Sequence, residues 1–95
     1  MSAYVIADIE VTEPAGYEEY RKQVLAVVTK YGGKFIVRGG KIDAKEGGWT
    51  PKRIVLVEFP SLAQAQKWYD SAEYAPLIKL RQKASKGRLV IVEGA

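Results

Sequence analysis

The chain has 95 residues, of which 47% are hydrophobic, and it carries 15 Lys and Arg against 11 Asp and Glu, for a formal net charge of +4. This length supports one small hydrophobic core, so we expect a single domain that covers residues 1–95. The chain has no cysteine and no histidine, which excludes disulfide bonds, Cys or His zinc sites, a thiol nucleophile and a Ser-His-Asp triad. The same absence excludes a haem ligated by histidine, and we expect neither a metal nor a cofactor.

Hydrophobic periodicity first predicts a strand and a long helix. Residues 4–12 alternate with the period of two that is typical of a strand with one buried face. Pro14 suits the first turn of a helix, where its missing N–H is not needed. Apolar residues then recur at spacings of three and four until the Gly32-Gly33 pair ends the helix.

A second strand and a long connection follow. Strict alternation places Phe35 and Val37 on one face of this strand, and Ile36 and Arg38 on the other. The strand ends at two glycines, and residues 41–51 form a long connection that contains further glycines.

The last part of the chain predicts a strand, a helix in two segments and a final strand. Residues 53–59 form a strand that is apolar on both faces except at its end, so each face requires an apolar cover. Ser61 has the spacing of a helix cap, and Ser71 restarts the helix as a second segment. A turn at residues 83–87 then leads into a final strand at residues 88–93.

This order of elements, β-α-β-β-α-β, predicts an α+β ferredoxin-like fold with an antiparallel sheet of strand order 4-1-3-2 and helices on one face. The opposite face is predicted to be open and rich in apolar residues, which is typical of an interface or a binding groove. Its predicted members are Tyr4, Ile6, Asp8, Glu10, Ile36, Arg38, Ile54, Leu56 and Glu58.

Four short motifs occur in order along the chain: Arg-Gly-Gly at 38–40, Glu-Gly-Gly-Trp at 46–49, Glu-Phe-Pro-Ser at 58–61 and Trp-Tyr-Asp-Ser at 68–71. With them, nearly the whole chain resembles the domain of unknown function 1330 family, a branch of the dimeric α/β-barrel superfamily. The resemblance implies a homodimer joined through the open sheet faces. It also implies a pocket between the sheet and the helices of each protomer, or between the two sheets. The family has no settled activity.

The strand order predicts a polar site at one edge of the sheet. Asp8 and Arg38 both lie at strand ends on this edge, beside Arg53 at the start of the third strand, which is a further candidate ligand-binding residue. Such a pair can hold a polar substrate, with Arg38 as the anchor for an anionic or carbonyl oxygen and Asp8 as the proton acceptor. The more ordinary role of such a pair is structural, since ion pairs at strand ends are usually structural or solvated.

The other candidate ligand-binding residues also have structural alternatives. Glu46 and Trp49 lie in a glycine-containing turn that is either a lid over Arg38 or a loop held by packing of the indole ring. Glu58 is predicted at the opposite edge, near Tyr4, where it is either a ligand group or a paired polar residue. Gly39 allows close approach of a ligand to the backbone or simply serves the turn. The aromatic residues of the second helical region line a pocket or pack in the core; they are Trp68, Tyr69 and Tyr74.

Three classes of function are compatible with this fold. The first is a cofactor-free enzyme that acts on a small, partly apolar molecule with an anionic or carbonyl group, and the second is a dimer that binds or senses such a molecule without chemistry. The third is an RNA-recognition module. It is disfavoured because Ile54 and Leu56 replace the two aromatic rings on which bases would stack, and only Tyr4 matches.

The sequence gives no indication of a membrane or nucleic-acid partner. No apolar run reaches the length of a membrane span, and the N-terminal segment MSAYVIADIEV lacks a basic region followed by a continuous apolar core. The basic residues are spread along the chain and form no block. We therefore expect a cytoplasmic protein that binds neither membranes nor nucleic acid.

Overall fold

The computed structural model describes all 95 residues and contains one four-stranded antiparallel sheet and three helices. In chain order the elements are β1 (Ala3–Val11), α1 (Pro14–Lys30), β2 (Lys34–Arg38), β3 (Ile54–Phe59), α2 (Leu62–Tyr69), α3 (Ala75–Ala84) and β4 (Ser85–Glu93). The sheet order β2-β3-β1-β4 is the predicted order read from the other edge. The ferredoxin-like α+β fold is therefore confirmed, with the second helical region divided into α2 and α3.

Local side-chain chemistry sets where the helices begin and end. Pro14 occupies the first turn of α1, and Gly32, with a φ of 84°, follows the helix in the left-handed conformation that glycine adopts without strain. The Ser61 hydroxyl accepts a hydrogen bond from the backbone N–H of Gln64 at 3.1 Å and caps α2. The Ser71 hydroxyl donates to the carbonyl of Trp68 and so fixes the corner between α2 and α3.

The hydrophobic core lies between the helices and one face of the sheet. Alternate residues of β1 are almost completely buried, because β1 is a central strand whose helix-facing side is covered. Trp68 packs against Tyr74 at 4.2 Å and against Phe59 at 5.3 Å between ring centroids. The core residues are Ala3, Val5, Ala7, Ile9, Tyr17, Tyr20, Val24, Val28, Val57, Phe59, Ala65, Trp68, Tyr74, Leu77 and Ala84.

The predicted turn at residues 83–87 is wrong, because α3 passes directly into β4 at Ser85. The backbone carbonyl of Ala84 accepts hydrogen bonds from the N–H groups of Thr12 and Glu13, both at 2.9 Å, which anchors this junction to the end of β1. Gly87 then pairs with Ile9, where a Cβ would lie 2.5 Å from the backbone oxygen of Asp8. Glycine therefore marks a close approach of two strands here rather than a turn.

A β-bulge at Ile36 changes the facing of the residues that follow it in β2. Phe35 pairs with Val57, but the next pair is Val37 with Leu56, so Ile36 is an extra residue in β2. Because the period of two is interrupted, Val37 moves to the open face and Arg38 moves to the helix-covered face. The prediction that Arg38 lies on the open face is therefore wrong.

The open face of the sheet is rich in apolar side chains, as predicted. Ile6 pairs with Leu56 of β3 and with Val90 of β4, so these three side chains lie side by side across the sheet. Val90 and Val92 are 56% and 46% exposed. None of the three helices combines the length and the apolar character that are needed to cross a lipid bilayer.

Candidate functional site

A largely apolar cavity lies between the helices and one face of the sheet. Its empty space is about 480 Å³ when the mouth is included, and only about 30 Å³ of it admits the centre of a water molecule, so the cavity is narrow. Twelve of its 16 lining residues are hydrophobic and the other four are arginines. The lining consists of Val5, Ala7, Ile9, Tyr17, Tyr20, Arg21, Val24, Phe35, Arg38, Arg53, Val55, Val57, Trp68, Tyr74, Arg81 and Leu89.

The four arginines reach the cavity from four different elements. Arg21 belongs to α1, Arg38 ends β2, Arg53 immediately precedes β3, and Arg81 belongs to α3. No aspartate or glutamate lines the cavity. Only Arg21 forms an ion pair, with Glu18 at 3.2 Å on the exposed side of α1, and none of the other three takes part in any ion pair of the structure. The cavity wall therefore carries an excess of positive charge.

Packing and backbone contacts hold Arg38 and Arg53 in place. The Arg38 Nη2 donates a hydrogen bond to the carbonyl of Arg21 at 3.1 Å, and the Arg38 guanidinium lies 4.4 Å from the centre of the Phe35 ring. Arg53 lies 5.8 Å from the Tyr17 ring centre and packs against the backbone of Gly39. A Cβ at Gly39 would come within 2.6 Å of Arg53 Cζ, so only glycine leaves room for this guanidinium.

Several buried donors in the cavity wall have no hydrogen-bond acceptor. They are the Nε atoms of Arg21, Arg53 and Arg81 and the indole Nε1 of Trp68. Arg81 is only 7% exposed and Trp68 only 2%. Because buried donors and buried cations are normally paired, these groups are candidates to contact the acceptor oxygens of a ligand.

A pair of buried tyrosines adds two hydroxyl groups to the cavity. The hydroxyls of Tyr20 and Tyr74 are 2.7 Å apart and hydrogen-bonded to each other. Burial raises the pKa of both phenols above the ordinary value of 10.0, and the charge of Arg81 opposes this rise in each. Both tyrosines are therefore neutral near pH 7 and present O–H groups rather than phenolates.

The structure brings five of the predicted ligand-binding residues together at this cavity. Arg38, Arg53, Trp68 and Tyr74 line it directly, and Gly39 lies against Arg53. Tyr69 lies one layer away: its ring contacts Trp68 edge-on, with 6.0 Å between ring centroids, and it lines a neighbouring cavity together with Arg81. The functional roles of these residues stay predictions.

The predicted neighbourhood of Asp8, Arg38 and Trp49 is wrong. Asp8 pairs with Ile54 on the open face, whereas Arg38 faces the helices. The indole N–H of Trp49 donates to Asp8 Oδ2 at 3.0 Å, so Trp49 lies over the open face and not over Arg38. The bulge in β2 is the cause, because it separates Arg38 from the face on which Asp8 lies.

The two predicted glutamates also lie away from the cavity. Glu58 is on the open face, where it accepts a hydrogen bond from the Tyr4 hydroxyl at 3.3 Å, as the strand order predicted. Glu46 is an exposed residue of the loop between β2 and β3. The structure contains no cluster of three or more acidic residues that could hold a metal ion.

Sequence reasoning missed Arg21, Arg81, Tyr17 and Tyr20 as site residues. The tyrosines belong to the apolar stripe of α1, and such a stripe predicts core packing only. Arg81 continues the inward stripe of the last helix after Tyr74 and Leu77. An arginine at an inward helical position was the available signal, because a buried cation requires a partner.

A sequence comparison assigns the chain to a family. Residues 2–95 match the family described as "Domain of unknown function (DUF1330)". The chain belongs to this family. This match confirms the resemblance to the family that the four sequence motifs indicated. A comparison with curated proteins finds no significant match.

Solved structures show the same fold at low sequence identity. A protein of unknown function from Rhodopseudomonas palustris is 17% identical, with a TM-score of 0.75 over 99% of this chain and 82% of that one. SnoaB, a cofactor-independent oxygenase from Streptomyces nogalater, is 10% identical, with a TM-score of 0.71 over 99% and 93%. A dimeric ferredoxin-like protein of unknown function from Bacteroides fragilis is 11% identical, with a TM-score of 0.65 over 98% and 96%. These likenesses support the ferredoxin-like fold, and at this identity they show the fold alone.

Proposed function

We propose that this family member is a one-domain homodimer that binds a small, partly apolar organic anion in the arginine-lined cavity of each protomer. The observation that supports this most strongly is the combination of four arginines with no acidic residue in the cavity wall. A guanidinium offers a planar fork of donors that matches a carboxylate or an enolate, so this wall favours oxyanions.

The rest of the lining defines the body of the ligand. Three quarters of the lining residues are hydrophobic, and they include the rings of Tyr17, Phe35 and Trp68. A ligand of this kind buries an apolar body against these rings and directs its charged oxygens to the arginines. A nucleic acid fits this site poorly, because the cavity is narrow and lies beneath the helices.

The homodimer follows from the open face of the sheet. Ile6, Leu56 and Val90 form an apolar surface there, and a second copy of the same face would bury it. The structurally similar Bacteroides fragilis protein is described as dimeric. In this arrangement the cavities lie on the outer side of each sheet, so each protomer holds a complete arginine set of its own.

Catalysis without a cofactor is the second candidate, and the tyrosine pair favours it. The neutral hydroxyls of Tyr20 and Tyr74 are placed to donate a proton or a hydrogen bond to a carbonyl or enolate oxygen beside Arg81. The oxygenase SnoaB, which has the same fold, is described as cofactor-independent. Binding alone requires only the arginines, whereas turnover also requires this pair.

The binding proposal is tested with Arg38→Met and a matched control, Lys41→Met, which removes the same charge from an exposed position just beyond β2. Organic acids that co-purify with the native protein are identified by mass spectrometry after denaturation, and benzoate is titrated by calorimetry. We expect Arg38→Met to lose the co-purified acid and to weaken benzoate binding about tenfold, because one charge-assisted hydrogen bond is lost. The Lys41→Met protein should behave like the native one.

Equal binding of acids by the native protein and Arg38→Met would contradict the proposal. A neutral co-purified molecule bound away from the arginines would also contradict it. Tyr20→Phe distinguishes a cofactor-free enzyme from a binding protein. If the native protein converts its ligand, loss of this conversion with retained binding in the variant supports an enzyme. Retained conversion excludes the tyrosine pair from the chemistry.

A further inference from the structure

We infer that the arginine-lined cavity binds flat enols or phenols as their conjugate bases, so that such a weak acid releases its proton to the solvent as it binds. This inference rests on the proposed anion-binding function and specifies its ligand class. The structural basis is a cavity wall whose side chains offer hydrogen-bond donors and positive charge, but neither a base nor an anionic partner.

The polar side chains of the cavity wall are almost exclusively donors. They are arginines, tyrosines and one tryptophan, and the wall contains no Asp, Glu, Asn, Gln, Ser or Thr. Because guanidiniums and the indole N–H donate hydrogen bonds and do not accept them, the phenolic oxygens are the only side-chain acceptors. A neutral ligand hydroxyl would add one more donor to this wall, whereas the oxygen of its conjugate base adds only acceptor capacity.

The tyrosine pair supplies a further O–H donor and no base. Tyr20 and Tyr74 each have one hydroxyl hydrogen, and the 2.7 Å bond between their oxygens uses only one of the two. Neither hydroxyl forms a hydrogen bond with any other group of the protein. Burial raises the pKa of both phenols, so near pH 7 neither is a phenolate that could accept the ligand proton. The proton of the ligand therefore leaves for the solvent.

Three of the four cavity arginines have no counter-charge in the protein. Arg38, Arg53 and Arg81 form no ion pair, whereas Arg21 pairs with Glu18 at 3.2 Å. Arg81 is only 7% exposed, and the Nε atoms of Arg53 and Arg81 are buried without an acceptor. An anion in this cavity compensates cations that the fold has already removed from water, which favours the charged form of the ligand.

The balance between burial and charge determines which form of the ligand binds. Complete burial raises the pKa of an acid by about 3–5 units, and an adjacent cation lowers it by about 1–3 units. One guanidinium would therefore not keep a buried ligand ionised, but the three unpaired guanidiniums of this narrow cavity together outweigh burial. We expect the pKa of the ligand to fall by about one unit or more, so its anion should bind about tenfold or more tightly than its neutral form.

The shape of the cavity favours a planar ligand. Only about 30 Å³ of the space admits the centre of a water molecule, and the wall includes the rings of Phe35 and Trp68. An enol or a phenol is flat and carries its acidic oxygen at one edge. It can therefore place its apolar body against these rings and direct its oxygen to the donors.

The titratable groups of the wall leave the ligand as the source of the proton. The wall contains no histidine and no carboxylate, and β1, β4 and α2 contribute no ionisable side chain to it. Glu18 pairs with Arg21 on the exposed side of α1. The ionisable residues of the wall are Tyr17, Tyr20, Arg21, Arg38, Arg53, Tyr74 and Arg81.

The test uses 4-nitrophenol, which absorbs visible light strongly only as the phenolate, and its methyl ether 4-nitroanisole, which has no proton to release. Both are titrated into the native protein at the pH at which free 4-nitrophenol is half ionised. We expect the phenolate absorption to rise on binding, as for a pKa lowered by about one unit or more, and 4-nitroanisole to bind about tenfold or more weakly. Calorimetry in two buffers of different ionisation enthalpy should show the matching proton release.

Variants of the wall test whether its cations cause this ionisation. Arg38→Met and Arg81→Met should each lower the ionised fraction of bound 4-nitrophenol, because each removes one positive charge from the cavity. The matched control Lys79→Met removes the same charge from an exposed position of α3 and should retain the native fraction. An ionised fraction that is unchanged in both arginine variants would overturn the inference.

The other contrary results differ in what they mean for the proposed function. If 4-nitrophenol binds without a rise in phenolate absorption, or if 4-nitroanisole binds equally tightly, the inference is wrong. The inference is also wrong if benzoate binds and 4-nitrophenol does not. In each of these cases, benzoate binding that Arg38→Met weakens would leave the proposed function intact. If neither benzoate nor 4-nitrophenol binds the native protein, both are wrong.

Discussion

The two faces of the single sheet differ in chemistry although they share the same strands. On the helix-covered face, alternate residues of β1 and β3 form the floor of a cavity into which four arginines project. On the open face, the intervening residues combine a band of Ile, Leu and Val with Asp8 and Glu58. The period of two of a strand thus separates the cationic wall of a cavity from an apolar open surface.

This separation means that the proposed association and the proposed ligand binding use different faces of the sheet. The net charge of +4 is spread along the sequence, but the fold places four guanidiniums around one cavity and excludes carboxylates from it. On the open face, Asp8 has a neutral partner in the indole N–H of Trp49. The sharpest tests are therefore substitutions that affect one face and spare the other.

The largest effect is expected from Leu56→Asp on the open face. Leu56 lies between Ile6 and Val37 in the middle of the apolar band, and a carboxylate there would be buried without a partner in the dimer. We expect a monomer or an insoluble protein, measured by light scattering. Ala26→Asp, which adds the same charge on the exposed surface of α1, should remain dimeric.

A soluble Leu56→Asp protein that stays dimeric would show that the subunits associate through another surface. If the variant is a folded monomer, its affinity for benzoate should remain within about threefold of the native value. This follows because the cavity belongs to one protomer and independent sites are close to additive.

The next effect is expected on the helix-covered face, from Gly39→Ala. Gly39 has a φ of 76°, and an added Cβ would collide with the Arg53 guanidinium. We expect a loss of about 1–2 kcal/mol in the free energy of unfolding from the left-handed backbone. Anion affinity should also fall, because Arg53 is displaced.

Gly40→Ala is the matched control for Gly39→Ala. A Cβ at Gly40 would meet no atom within 4 Å, and its φ is not positive. Urea unfolding and benzoate titration of the two variants separate the local clash from a general effect of alanine in this turn. Equal behaviour of the two variants would show that Arg53 does not depend on Gly39.

A smaller effect is expected from deletion of Ile36, the extra residue of the bulge. Without it, Phe35, Val37 and Arg38 would alternate regularly and keep the faces that they have now. We expect the deletion variant to remain dimeric and to bind benzoate within about threefold of the native affinity, apart from a modest loss of stability. If Arg38 instead lay on the open face, the deletion would move it to the other side, and a large change in anion binding would result.

The same bulge shows which part of this structure was predictable from sequence. Periodicity and glycine positions predicted the element order and the strand order. The apolar residues of each buried face recur over several positions, so one irregular residue does not obscure the periodicity. The facing of Arg38 depended on a single insertion in a five-residue strand. A two-residue period cannot reveal such an insertion, because the sequence Phe-Ile-Val-Arg is compatible both with a regular strand and with a strand that contains a bulge.

The candidate site was predictable only in part for a second reason. Arg53, Trp68 and Tyr74 were identified from their strand and helix positions, but Arg21 and Arg81 depend on how two helices cross the sheet. The angle at which a helix crosses the sheet is set by the packing of many side chains, and no short sequence motif predicts it. The assignment of Trp49 failed similarly, because a long loop can close over either face of a sheet.

The smallest effect is expected from Glu73→Gln, which removes a carboxylate that connects two helical regions at the surface. Glu73, between α2 and α3, accepts hydrogen bonds from Lys30 and from the Tyr31 hydroxyl, which holds its pKa below the ordinary value of 4.5. A carboxyl group whose pKa is lowered by folding stabilises the folded state at pH values above its pKa in the unfolded chain. This contribution is lost as the pH falls below 4.5. Glu73→Gln should therefore lower the Tm by no more than roughly a few degrees at pH 7, since these groups are exposed. The two proteins should converge in Tm as the pH falls through that range. As a control, Glu19→Gln, which removes the exposed partner of Lys22, should leave the Tm at pH 7 nearly unchanged. A Tm difference for Glu73→Gln that stays constant from pH 7 to the acid range would show that its carboxylate charge does not secure the helix layer.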